Sequence, residues 1–334
     1  MKNYEWFKEA KYGMMIHWGL YALLGSEWQG KRPNEPYAEW IQANLMIPNR
    51  EYEKLTKAFN PVFFDADAIA TLAKDVGMKY MVVTAKHHDG FALYHSKVDS
   101  YNVVDATPFG RDVIRELRDA CDRVGLKFGV YYSQDLDWHE EHGGGYTNMT
   151  PCFGVSWDNS WDYPDRSKKD FSICFENKIL PQVKELLTNY GELSVIWFDV
   201  PMTLTEAQSD LLYRTVKELQ PNCLINSRLG NGRYDYVSLG DNEIPDRLDA
   251  AEDCVDYNAV DGFKPSPLGL YETAATLNDT YGFSFYDHNW KSPERIREIR
   301  EQLNSLGINY LLNVGPDALG RVPVAAERIL REAK

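Results

Sequence analysis

The sequence predicts an α/β fold, a (β/α)8 barrel closed from eight parallel strands. Three observations carry this. Eight short apolar or β-branched runs punctuate the chain, amphipathic stretches of helical period lie between several of them, and no Ser/Gly-rich linker or internal repeat divides the 334 residues. A barrel of this length commonly forms one domain, so a single catalytic-sized domain over 1–334 is expected.

The strand runs are "GMMIHWG" (13–19), "KYMVVTAKHH" (79–88), "KFGVYYS" (127–133), "LSVIWFDV" (193–200), "CLINSR" (223–228), "YDYVSLGD" (234–241), "GLYETAATLN" (269–278) and "NYLLNVGP" (309–316). Helical spacing marks 63–77, 112–125, 175–191, 205–221 and 293–307. Four of these five end in Gly, the residue that best tolerates the left-handed turn closing a helix. Between 223 and 278 no amphipathic helix separates the strands, which predicts irregular or missing outer helices in the second half. Residues 134–174, rich in Gly, Trp and Asp, form a long excursion of the kind that shapes a site.

Composition narrows the class. Apolar residues make up 44% and charged residues 26%, ordinary values for a globular chain that buries a sizeable core. A net charge of −14, spread along the chain, disfavours nucleic acid and anionic membrane and points to a neutral or cationic ligand. The start "MKNYEWFKEAKYG" has no apolar core of a signal peptide and no run is long enough to span a bilayer, so a cytoplasmic address is expected. Cys121, Cys152, Cys174, Cys223 and Cys254 are odd in number and form no Cys-x-x-Cys pair, which indicates reduced thiols. Aromatic residues reach 13%, with nine Trp and 21 Tyr, a supply that suits a sugar cleft as well as a large core.

In such a barrel the chemistry sits at the C-terminal strand ends. Here those ends carry His17, then His87 and His88, then Tyr131, Tyr132 and Ser133, then Asp199, Arg228, Asp241 with Glu243, and Glu272 on the seventh run. One polar strand end needs only solvent as its explanation; seven together point to a site. "VIWFD" is the sharpest, because four apolar residues deliver Asp199 to the edge of a dry environment. A helix-capping role is the plain alternative, but Thr203 or Thr205 is the better placed cap. His87 and His88 suggest a metal at first sight. Adjacent strand residues face opposite sides, however, and ligating one ion would need a bend at Asp89-Gly90. Neutral imidazoles also suit hydroxyl-rich ligands, donating from one nitrogen and accepting at the other.

Nine segments, "GMMIHWGLYAL", "YAEW", "TAKHHDGFALY", "GVYYSQDLDW", "VIWFD", "NSRLG", "YVSLGDNEIP", "YETAATLNDTYGF" and "NYLLNVGPDALGRVP", together resemble the retaining α-L-fucosidases of glycoside hydrolase family 29. The likeness runs in order from about Trp6 to about Pro323 and is greatest to compact bacterial intracellular members, some of which prefer α1,6-linked fucose. Relatives often carry a C-terminal β-sandwich, which is not expected here. The resemblance implies that Asp199 is the nucleophile of a double displacement. It further implies that His17, Glu39, Trp40, His87, His88, one of Tyr131 and Tyr132, and Arg228 hold the sugar, with no metal or cofactor. The implied substrate is a fucosylated oligosaccharide or glycoconjugate, and assembly into a homo-oligomer through the long loops is an expectation of the same reading.

A retaining glycosidase needs a second carboxyl about 5–5.5 Å from the first. Asp241 leads because "GDN" opens the loop after the sixth strand; Glu272, in "YE" where relatives have "WE", is second and Glu243 third. Trp28, Trp138, Trp157, Trp161 and Trp290 could stack on the ligand, although a large ring is more often core. Two other classes share these residues. A metal-dependent amidohydrolase-like enzyme would need later ligands such as His95 or His288, and an inactive fucose-binding protein would lack a catalytic carboxyl.

Overall fold

The computed structural model of the chain describes residues 4–35, 37–147, 156–250 and 265–334. Eight parallel strands, β1 (Tyr12–Ile16), β2 (Tyr80–Lys86), β3 (Lys127–Ser133), β4 (Val195–Asp199), β5 (Leu224–Ile225), β6 (Val237–Ser238), β7 (Tyr271–Thr276) and β8 (Ile308–Val314), form one curled sheet. Its order is β5-β4-β3-β2-β1-β8-β7-β6. The two ends meet through a single parallel bridge, Asn226 with Tyr236, and the fold is a (β/α)8 TIM-like barrel.

Strand alternation sorts the side chains into two cores. Met15, Tyr80, Val82, Tyr131, Val195, Trp197, Leu224, Tyr236, Ala274 and Leu311 fill the barrel interior. Met14, Val83, Val130, Tyr132, Ile196, Phe198 and Leu312 face the surrounding helices. The helix Glu5–Ala10 closes the bottom: Phe7 packs on Tyr80 and Tyr236 at ring separations of 5.7 and 4.7 Å, and Asn309 Nδ2 donates to its carbonyl at 2.7 Å. A packed floor leaves the mouth as the place for a ligand.

The outer helices Ala66–Asp75, Val113–Val124, Glu206–Leu219 and Pro293–Ser305 fall inside the predicted stretches. The stretch 175–191 is more complex, an α-turn Phe171–Cys174 running through a π-turn Phe175–Ile179 into the helix Leu180–Asn189. Among the described residues no α-helix lies between Leu219 and Pro293, as the weak pattern there foretold. Expected strands over 223–228 and 234–241 shrink to two residues each. The reason is a side chain that imitates a strand: Asn226 Oδ1 accepts from Phe198 N at 2.8 Å and its Nδ2 donates to Phe198 O at 2.9 Å. Backbone pairing thus ends early, and a 3₁₀ turn at Ser227–Leu229 aims Arg228 inward. No helix among the described residues is long and apolar enough to cross a membrane. Cys121, Cys174 and Cys223 are buried free thiols, whereas Cys152 and Cys254 lie outside the described residues.

Candidate active site

A cavity of about 100 Å³ opens at the C-terminal ends of the strands, lined in part by His17, Glu39, Trp40, His87, Asp199, Arg228 and Asp241. Asp199 is the last residue of β4 and does not cap the next helix; Thr205 does, in a reciprocal capping box with Gln208. Its carboxylate is held at both oxygens, Oδ2 accepting from Tyr131 Oη at 2.8 Å and Oδ1 from Arg228 Nη1 at 3.0 Å. Burial raises the pKa of Asp199 above the ordinary carboxylate value, and the Arg228 charge opposes that shift. The two donors therefore favour the ionised form in a dry site.

Arg228 lies 4.7 Å over the Trp197 ring, and its other amino group, Nη2, donates to Asp241 Oδ1 at 2.6 Å and to Leu239 O at 3.1 Å. One guanidinium thus joins two carboxylates. They differ in depth: the Asp199 side chain is 12% exposed and that of Asp241 33%, so Asp241 stands at the rim.

The histidines have assignable tautomers. Asn313 Nδ2 donates to Tyr281 O at 2.7 Å, which turns its Oδ1 toward His17 Nδ1 at 2.8 Å. His17 therefore carries its proton on Nδ1 and offers Nε2 as an acceptor. Ser133 Oγ gives its single proton to Leu136 O and must accept from His88 Nδ1 at 2.7 Å, which leaves His88 Nε2 an acceptor too. That nitrogen has no protein donor and lies 3.8 Å from Asp199 Oδ2. Burial pushes His17 down to about 4 and His87 and His88 well below their ordinary value, so all three rings are neutral near pH 7. β2 ends at Lys86, just before His87 and His88, whose rings lie 4.1 Å apart, and Gly90, at φ +77°, turns the chain after them.

Glu39, in the cavity lining, is buried, its Oε2 accepting from Gly282 N at 2.7 Å, and burial raises it to about 7. Trp40 packs edge-on to His88 at 5.0 Å.

Several expected residues take other places. Tyr132 points to the helical layer and donates to Gln182 Oε1 at 2.8 Å, since it alternates with Tyr131 on β3. Glu272 is sealed inside the barrel. It accepts from Tyr80 Oη (2.5 Å), Trp197 Nε1 (2.9 Å) and Tyr236 Oη (3.2 Å), and burial lifts it to about 7. It does not line the cavity. Glu243 turns back on its own loop, accepting from Gly240 N at 2.8 Å. His95 and His288 lie away from the cavity, His95 near Asp105 at 3.4 Å.

Asp99, His139 and Glu140 bring ligand atoms within 4.8 Å of one another. Lys178 Nζ already stands 2.7 Å from Asp99 and 3.1 Å from Glu140, so an ammonium meets the charge there. The cavity also uses Tyr37, Trp157, Trp197, Val200 and Tyr281. Of these, Trp197 was within reach of the sequence, since it shares a strand face with Asp199; Tyr37 and Tyr281 come from loops and carry no such signal.

The sequence model of the family described as Alpha-L-fucosidase matches residues 1–333. Alpha-L-fucosidase AlfC from Lactobacillus casei, solved in complex with α-L-fucose product, is similar at 61% identity and a TM-score of 0.93, covering 100% of this chain and 97% of that one. A variant of AlfC in complex with Fucα(1,6)GlcNAc is similar at 60% identity and a TM-score of 0.91, over 99% of this chain and 97% of that one. The plasma α-L-fucosidase of Homo sapiens is 28% identical over 347 residues, 98% of this chain. The chain spans 66% of the length of that curated relative and 64% of a putative α-L-fucosidase of Caenorhabditis elegans.

Proposed function

The chain belongs to the alpha-L-fucosidase family, and on that premise we propose that it hydrolyses terminal α-linked L-fucose from oligosaccharides or glycoconjugates with retention of configuration. The observation that carries the reading is the pair of carboxylates, Asp199 deep and Asp241 at the rim, on the two ends of one guanidinium. A single fork holding both supports the close spacing of about 5–5.5 Å that double displacement requires.

In this reading Asp199 attacks the anomeric carbon as the bond to the aglycone oxygen breaks. Asp241, on the side from which the aglycone leaves, gives that oxygen its proton. Water then attacks the same carbon, passes a proton back to Asp241 and releases the Asp199 carboxylate. His17 and His88 accept hydrogen bonds from sugar hydroxyls, and no metal or cofactor takes part. Of the three acids weighed for the second role, Asp241 is favoured because it alone lines the cavity.

We read residues 1–334 as one catalytic barrel domain, with assembly into a homo-oligomer measurable by light scattering and neither nucleic acid nor membrane as partner. A preference for α1,6-linked fucose is supported by the likeness to AlfC, a variant of which was solved with Fucα(1,6)GlcNAc. The test is hydrolysis of 4-nitrophenyl α-L-fucopyranoside followed by NMR of the first-formed sugar, with a panel of α1,2, α1,3, α1,4 and α1,6 disaccharides. α-Fucose as first product supports the proposal. No release sinks the activity, β-fucose first sinks retention, and equal rates across the panel sink the linkage preference.

A further inference from the structure

Beneath the two histidines lies a buried cluster of charges that the proposed chemistry does not use. Lys86 and Asp137 are both fully buried and meet at 2.9 Å, Nζ to Oδ2. Lys178, 5% exposed at its side chain, reaches the same oxygen at 3.1 Å, and also Asp99 at 2.7 Å and Glu140 at 3.1 Å. Burying two ammonium groups and a carboxylate is costly unless all are paired in good geometry, so removing one member leaves an uncompensated charge.

Lys178 comes from an outer element. It stands in the π-turn Phe175–Ile179, where the wider turn breaks the helical register between Phe171–Cys174 and Leu180–Asn189. Such turns recur at functional positions. Lys184, in the regular helix that follows, is exposed.

Asp137 is tied to the histidine turn at two points. Its Oδ1 packs against Gly90 so closely that a Cβ there would sit 2.4 Å away, and the next residue, Trp138, donates its N–H to His88 O at 2.7 Å. The Trp138 ring also packs 5.4 Å from the His88 ring. The cluster thus reaches the rings of the site through backbone and packing, and none of its own side chains lines the cavity.

We propose that Lys178 is a positioning residue: together with Lys86 it clamps Asp137, and Asp137 with Trp138 holds the His87-His88 turn so that His88 Nε2 meets a sugar hydroxyl beside Asp199. With Lys178 gone, Asp137 keeps Lys86, while Asp99 and Glu140 lose their ammonium and retain the His139 ring beside them. Their repulsion opens the clamp, and His88 loses its aim without any change in the carboxylates that do the chemistry.

This inference rests on the fucosidase reading, and the experiment separates the two. Wild-type protein is assayed first on 4-nitrophenyl α-L-fucopyranoside, with L-fucose as competitive inhibitor; failure there is failure of the functional reading alone. In active protein, Lys178→Met is expected to weaken fucose inhibition and lower kcat/KM by about 10- to 100-fold, the range for losing a hydrogen bond near charged groups. Lys184→Met is expected to match wild type. The triple variant Lys178→Met, Asp99→Asn, Glu140→Gln leaves the Lys86–Asp137 pair balanced and is expected to regain fucose inhibition to within about 3-fold of wild type. A folded Lys178→Met variant with wild-type inhibition overturns the proposal. Where Lys178→Met does not fold, the triple variant decides, and persistent loss of fucose inhibition in folded triple variant overturns it equally.

Discussion

At the scale of single residues, the proposed chemistry separates a group that attacks from groups that hold. Asp199 ends a strand and fills no core, so Asp199→Gly is expected to keep its fold while turnover falls by several orders of magnitude. Azide should restore turnover and yield β-fucosyl azide by one inversion. Asp241→Asn should spare activated aryl fucosides in the first step, lose poor leaving groups, and yield α-fucosyl azide. A β product from Asp241→Asn, seen by NMR, would remove that residue from the acid/base role. Glu272→Gln should show no such dependence on the leaving group, because the residue is sealed beneath Trp197 by three donors. His88→Ala is expected to raise the fucose inhibition constant by an amount worth about 1.5–3 kcal/mol, measured by competition, with turnover unaffected by chelators.

At the scale of elements, the loop after β4 shows how the fold presents a carboxylate. Val200, a β-branched residue, sits at φ +52°, a conformation that costs of order 1–3 kcal/mol and persists only where its surroundings impose it. Those surroundings are identifiable. Asp135, fully buried, accepts from Leu204 N at 2.8 Å and from Thr203 N at 2.5 Å and so anchors the loop beyond the strained residue. Asp135→Ala leaves one buried and one half-buried N–H group unpaired and is expected to cost about 2–3 kcal/mol in urea unfolding, with reduced kcat as Asp199 loses its support. Thr205→Ala, which removes only a helix cap, should cost about 1 kcal/mol and leave kcat alone. Equal effects on kcat from both would show that the loop does not aim the nucleophile.

At the scale of the molecule, buried titratable groups set the response to pH. His17 falls to about 4, with His87 and His88 also lowered, so below about pH 6.5 the unfolded chain binds protons that the fold refuses. These groups make stability rise with pH up to that point. Glu39 and Glu272 rise to about 7, and Asp89 and Asp135 to about 6, all by burial. The folded chain keeps their protons above the unfolded pKa near 4, so stability falls with rising pH until each folded pKa is passed. Three histidines set against these four acids and Asp199, which burial also raises, leave a shallow net fall between about pH 4 and 6. Above pH 6.5 the histidine contribution is exhausted and Glu39 and Glu272 continue to fall. A broad maximum in melting temperature near pH 4 to 5, with loss on both sides, is therefore expected. Glu272→Gln, a neutral stand-in for the protonated acid, should reduce the loss between about pH 6 and 8 in thermal scans. An unchanged profile would mean that Glu272 is ionised in the fold.

How much of this was legible beforehand follows from the range of the interactions. Strand and helix positions depend on local periodicity, and "VIWFD" and "KHHDG" announce strand ends because a run of apolar residues stops abruptly in polar ones. The amino-acid sequence by itself thus determined the alternating α/β order, the weak second half, and Asp199, Arg228 and the histidines as strand-end groups. Tertiary structure alone decided which member of each neighbouring pair faces inward. Tyr131 and Tyr132 are equivalent as letters, yet β3 sends one to Asp199 and the other to Gln182. It also set the places of the candidate acids, since Glu272 and Asp241 each follow a plausible strand, but only the closed barrel shows Glu272 shut in by Tyr80, Trp197 and Tyr236. The physical reason is common to both cases: burial and proton affinity are set by groups far apart in the chain, and no local pattern records which of them will meet.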